Sequence, residues 1–143
     1  MKIRDVLQAK GSAVEVIGPD APLGDVVGRL GEKRIGALVV TDDAGGVAGI
    51  VSERDVVRSL AADGADALSR PVREVMSTPV TTCSMDDDIV SLMSLMTDRR
   101  IRHVPVVDGG RLAGIVSIGD VVKSRVDQLE QDRKELLEYV SAR

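Results

Sequence analysis

The chain has 143 residues, with 19 Lys and Arg against 23 Asp and Glu, a formal net charge of −4, one Tyr and no Phe or Trp. Such a length suits one domain, or two half-size units around a shared core, and a negative balance with almost no aromatics argues against nucleic acid as a partner. With one His and one Cys in the chain, neither a zinc site of the usual His/Cys kind nor an internal disulfide is available.

No apolar run approaches the roughly 20 residues that span a bilayer, and the opening MKIRDVLQAK lacks the apolar core of a signal peptide. A cytoplasmic protein without a membrane partner is expected. The lone Cys83 follows Thr82 on an expected strand, where a buried, unreactive thiol is the natural reading.

In chain order, a leader IRDVL (3–7) precedes a short strand at about 14–17 and a Pro19-Asp20 turn. Leu23, Val26, Val27 and Leu30 then recur at the spacing of an amphipathic helix. An apolar strand follows at 37–41, then the turn TDDAGG and a strand at 47–51. Asp and Gly in that turn point to a hairpin, and a second helix starts just after Ser52.

After a small, polar linker, AADGADALSRP (61–71), the order repeats. The leader is VREVM (72–76), the strand 80–83, the turn Asp86-Asp87-Asp88, and the helix carries Ile89, Leu92, Met93 and Met96. Strands at 104–107 and 111–116 flank DGG, and a long helix covers 118–141. GIVSERDVVRS (49–59) and GIVSIGDVVKS (114–124) agree at eight of eleven positions. The unit is β-α-β-β-α, copied twice.

These patterns predict an α+β fold of two repeats related by a pseudo-twofold axis, with a helical extension. The copies are expected at 1–66 and 67–125, and the tail at 126–143. Val122, Val126, Leu129, Leu136 and Val140, with Arg133 at one step, form a short heptad stripe. That stripe suits either a helix folded back on its own domain or a dimer contact.

Within the repeated block the shared polar residues are Ser52 with Asp55 and Ser117 with Asp120. Each pair fits a helix capping box. A strand that turns into a helix also leaves N–H groups at a helix start, which favours an anion. A carboxylate beside it can accept two hydrogen bonds from a ribose diol. Arg54 and the run Arg99-Arg100-Ile101-Arg102-His103 supply cations. Arg99 and Arg100 read equally well as ordinary cations at a helix C-terminus.

The sequence IRHVPVVDGGRLAGIVSIGD, with its partner IGALVVTDDAGGVAGIVSERD, resembles the CBS motif, named after cystathionine β-synthase. That motif occurs in pairs in IMP dehydrogenase, the γ subunit of AMP-activated protein kinase, some chloride channels and many short bacterial proteins. The likeness runs over residues 3 to 125. It implies a non-catalytic regulatory module that binds an adenine nucleotide (AMP, ADP, ATP or NAD), requires no cofactor and pairs into a homodimer.

By the same resemblance, Asp55 would hold ribose in one cleft, with Ser52 and Arg54 near the phosphates and adenine against Ile101, Arg102 and His103, before Pro105. In the other cleft Asp120 would hold ribose beside Ser117, with adenine on Ile35, Gly36 and Ala37. Ile118-Gly119 replaces Glu53-Arg54, so the Asp120 cleft loses a cation and the Asp55 cleft is favoured.

Catalysis is not expected, because the chain shows no nucleophile–base pair, metal-ligand cluster or P-loop. GGVAG (45–49) is hairpin turn chemistry rather than a phosphate loop. The alternative to a nucleotide sensor is a ligand-independent dimerisation or protein-interaction module.

Overall fold

A computed structural model describes residues 1–142. Helix α1 (Ile3–Lys10) precedes β1 (Val16–Ile17), α2 (Leu23–Lys33), β2 (Ala37–Thr41), β3 (Val47–Ser52) and α3 (Glu53–Asp63). After short 3-10 turns at Gly64–Ser69 and Val72–Glu74, the order continues with α4 (Ile89–Arg99), β4 (His103–Asp108), β5 (Arg111–Ser117) and α5 (Ile118–Ser141). The fold is α+β, with one sheet per copy.

In the first sheet, β1 runs parallel to β2, and β2 pairs antiparallel with β3. The second sheet is the β4–β5 hairpin alone. The strand expected at 80–83 shrinks to a single bridge, in which Cys83 N–H donates to the Pro105 carbonyl and Val107 N–H to the Cys83 carbonyl. Chemistry explains the loss. In the first copy Val39 N–H donates to the Glu15 carbonyl at 3.3 Å, whereas Pro105 stands at the matching position and has no N–H to give.

Each copy builds its own apolar core, and each is completed by the other copy's leader. Ile3, Val6 and Leu7 of α1 are buried with Ile89, Leu92, Met96, Val104, Val106 and Val116 of the second copy. Val72, with Val75 and Met76 against it, joins the first copy's Leu23, Val26, Leu38 and Val51. The chain therefore crosses over twice.

The docking is equivalent on both sides. Ile3 and Arg4 N–H donate to the Asp87 and Met85 carbonyls before α4, as Val72 and Arg73 N–H donate to those of Ala21 and Pro19 before α2. Arg4 pairs with Asp86, and Arg73 with Asp20. The repeated glycine of GIVS is explained by the same crossing. A Cβ at Gly114 would lie 3.0 Å from the Leu7 methyls, and one at Gly49 would lie 2.4 Å from Met76 Sδ and 3.2 Å from its Cβ. Glycine is favoured there because the leader lies directly on the strand, most strongly at Gly49.

The heptad stripe on α5 does not fold back. Val122, Val126, Leu129, Leu136 and Val140 are all exposed, and α5 packs on α1, α4 and β5 only through its first turns, where Val121 is fully buried.

Candidate functional site

The two hairpins bring both strand-to-helix junctions to one side of the molecule. Ser52 caps α3 and Ser117 caps α5, each in a capping box with the acid three residues on. Ser52 N–H donates to Asp55 Oδ2 at 2.9 Å, and Asp55 N–H to Ser52 Oγ at 3.4 Å. The second copy repeats this with Ser117 N–H to Asp120 Oδ2 at 2.9 Å and Asp120 N–H to Ser117 Oγ at 3.1 Å.

These bonds use up much of the expected anion site. The first helical N–H of α3, from Glu53, donates to the Gly36 carbonyl, and that of α5, from Ile118, donates to the Arg102 carbonyl. With the third N–H taken by the serine, only the second, of Arg54 or Gly119, is left at each helix start. Anionic groups bound here must rely on side chains.

A cavity of about 690 Å³ opens between the copies. It gathers Ser52, Arg54 and Asp55 with Ile101, Arg102, His103, Ser117 and Gly36. Residues expected in two separate clefts thus share one space. Pro105 and Ala37 are buried in their strands, and Ile35 packs against the first core; none of the three lines this cavity, nor does Asp120.

Gly36 and His103 fit one another across the boundary between the copies. A Cβ at Gly36 would meet His103 Cε1 at 3.1 Å and Nε2 at 3.3 Å. Burial pushes the His103 pKa below its ordinary value, and the nearby Arg102 guanidinium adds to this against the opposing pull of Glu53 and Asp120. The imidazole is therefore neutral at pH 7. It is an apolar and hydrogen-bonding wall more than a cation.

Arg99 and Arg100, which read equally well as helix C-terminal cations, line the cavity. Arg58 and Ser77 line it too and escaped the sequence reading. Arg58 was findable, since it lies one helical turn after Arg54. Ser77 was not, because it arrives with the crossed leader; its Oγ donates to Asp55 Oδ1 at 3.1 Å.

Lys10 was hidden for the same reason. Its Nζ donates to Asp120 Oδ2 at 2.6 Å and to the Ile115 carbonyl at 2.9 Å. Burial acts to raise the Asp120 pKa, but the Lys10 ammonium and the Ser117 N–H and hydroxyl together hold it below the usual carboxylate range. The cation lost from the second cleft at Gly119 is thus replaced from the opposite end of the fold, directly on the acid.

A tandem arrangement of capped strand–helix junctions around a shared cleft is the architecture of a CBS pair. The CBS domain family matches residues 3–62 and again residues 72–127, and the chain belongs to that family. A crystal structure of a CBS-domain protein from Agrobacterium tumefaciens is 46% identical, with a TM-score of 0.84 over 87% of this chain and 99% of that one. A CBS domain protein from Pyrobaculum aerophilum, solved in complex with AMP, is 27% identical, with a TM-score of 0.78 over 91% and 97% of the two chains. A mitochondrial CBS domain-containing protein of Arabidopsis thaliana is 32% identical over 96% of this chain and 71% of its own length.

Among the described residues, no cluster of His, Cys, Asp and Glu could hold a metal ion. No helix among them is long and apolar enough to cross a membrane.

Proposed function

We propose that this protein is a non-catalytic regulatory module that binds an adenine nucleotide between its two CBS copies. The observation that carries the reading is the shared cavity, which sets Asp55 of the first copy opposite Arg102 and His103 of the second. The complex of the Pyrobaculum aerophilum relative with AMP supports the ligand class. Asp55 takes the ribose hydroxyls in place of the Ser77 hydroxyl, an exchange of one neutral donor for another. Ile101 and the backbone beside it receive the base, and the arginines receive phosphate. Because the site draws on both copies, an occupied cavity favours one packing of the halves over others.

Thermal unfolding with millimolar AMP, ADP, ATP and NAD tests the proposal. Mass action raises the midpoint for each nucleotide that binds the folded state. Unchanged midpoints with all four would overturn it.

A second reading concerns assembly, and the exposed stripe on α5 favours it. Val122, Val126, Leu129, Leu136 and Val140 follow a coiled-coil spacing and are all exposed. In this reading α5 pairs with α5 of a second copy, giving a homodimer. Light scattering should then give twice the chain mass for the full chain and the single mass after residues 126–143 are deleted.

A further inference from the structure

Five guanidinium groups line the cavity: Arg54 and Arg58 from α3, Arg99 and Arg100 from the end of α4, and Arg102 before β4. Only two carboxylates, Glu53 and Asp55, stand among them, and Asp55 is already engaged by Ser52 and Ser77. This concentration of positive charge sits in a chain whose formal net charge is −4.

Three arginines elsewhere in the fold are neutralised. Arg4, Arg70 and Arg73 each reach a carboxylate, from Asp86, Asp63 and Asp20 respectively. Arg99 at least donates to Thr81 Oγ1 at 2.9 Å. Among the described residues, Arg54, Arg58, Arg100 and Arg102 have neither an ion pair nor a side-chain hydrogen bond. Like charges gathered without counter-charges disfavour the empty state, and an anion relieves them.

The size of that anion follows from where the four groups sit. Two belong to the first copy and two to the second, and all four line one cavity. A smaller neighbouring cavity of about 260 Å³ shares Arg54, Arg100 and Arg102, so the basic surface continues past the first space. A monophosphate carries a charge of about −2 on one compact group, too little to balance four unpaired guanidinium groups. Each added phosphoryl group brings further charge and further oxygens for bidentate contact. The helix starts offer little instead, since their first and third N–H groups are spent within the fold.

We propose that the cavity is a polyphosphate site, which takes nucleoside triphosphates in preference to monophosphates by sharing the phosphate chain between Arg54 and Arg58 of the first copy and Arg100 and Arg102 of the second. The proposal deepens the nucleotide reading above and rests on it for the nucleoside, while the phosphate chain is recognised independently of the base. The ligand thereby ties the two copies together. Loss of its terminal phosphates releases that tie and leaves the nucleoside end in place.

Isothermal titration of the full chain with ATP, ADP, AMP and inorganic tripolyphosphate tests this directly. The expected order is ATP tightest and AMP weakest, with about tenfold or more between the two and a larger loss of ATP affinity at raised salt. Tripolyphosphate should bind alone and displace ATP. Arg58→Gln and Arg102→Gln, one from each copy and both exposed, should each weaken ATP by about tenfold and AMP by less than about threefold. AMP binding as tightly as ATP, or variants that weaken both nucleotides equally, would overturn the polyphosphate site while leaving the nucleotide reading standing. Tripolyphosphate binding without any nucleotide binding would do the reverse. Binding of none of the four would remove both.

Discussion

The two strand–helix junctions share a backbone and a capping box, yet their acids are held by different chemistry. At Asp55, the leader's Ser77 donates its N–H to the Ile50 carbonyl and its hydroxyl to the carboxylate. At Asp120, the single ammonium of Lys10 makes both contacts, to the Ile115 carbonyl and to the carboxylate. A hydroxyl gives way to another hydroxyl at little cost. An ammonium on a half-buried carboxylate does not, because its removal leaves two charges to be solvated afresh. One acid is thus held by a neutral hydroxyl and the other by a charge from the chain itself.

The largest expected effects come from the glycines beneath the leaders. Gly49→Ala should cost about 2 kcal/mol of unfolding free energy, because its Cβ meets Met76 down to that residue's own Cβ, whereas Gly114→Ala should cost about 1 kcal/mol. Leu7 meets the new methyl only through the end of its side chain, which can turn aside. Urea denaturation of both variants measures the difference, and equal costs would show that Met76 turns aside as readily as Leu7.

The acids themselves give the next contrast. Asp55→Asn should weaken nucleotide binding by about tenfold, near 1.4 kcal/mol, while Asp120→Asn should leave it within about twofold. Calorimetric titration of the two variants side by side decides the matter. An equal loss at both would mean that Lys10 yields to the ligand.

Lys10→Met should lower stability by about 0.5–1 kcal/mol at pH 7, as for a partly exposed ion pair. The sign with pH follows from the depressed Asp120 pKa. Its stabilising contribution is present above the ordinary carboxylate pKa and is lost as pH falls through the lower folded value. Denaturation midpoints between pH 7 and pH 3 should therefore fall less steeply in the variant than in the parent.

The smallest expected effect is at His103. Its pKa is lowered in the fold, so the unfolded chain binds the proton more readily. Stability should decline as pH drops from the ordinary histidine value of about 6.5 towards the folded one, and His103→Gln should remove that part of the slope. An unchanged slope would place the imidazole in contact with solvent.

Much of this was legible from the chain. GIVS and the acid three residues later marked both helix starts, and the α5 periodicity gave its full extent. The sequence pattern failed where a residue's partner lay in the other copy. Whether Leu7 packs on Gly49 or Gly114 leaves no trace in hydrophobic periodicity, since either glycine would serve. Lys10 and Asp120 stand 110 positions apart, and no local rule joins them. The missing strand at 80–83 is different in kind. Pro105 was visible, but its effect on a neighbouring segment depends on which carbonyl needed the absent N–H. Cys83, in that segment, is buried as expected, and burial, with Asp87 nearby, pushes its thiol pKa up to about 12.

The crossed leaders also bear on how such a pair could arise. In each copy the groove above the glycine is filled by the other copy's leader. Two separate copies could satisfy one another only by exchanging arms between molecules. Joining them in tandem turns that exchange into an internal one, so the lock that once required an encounter is closed as soon as the second half is made.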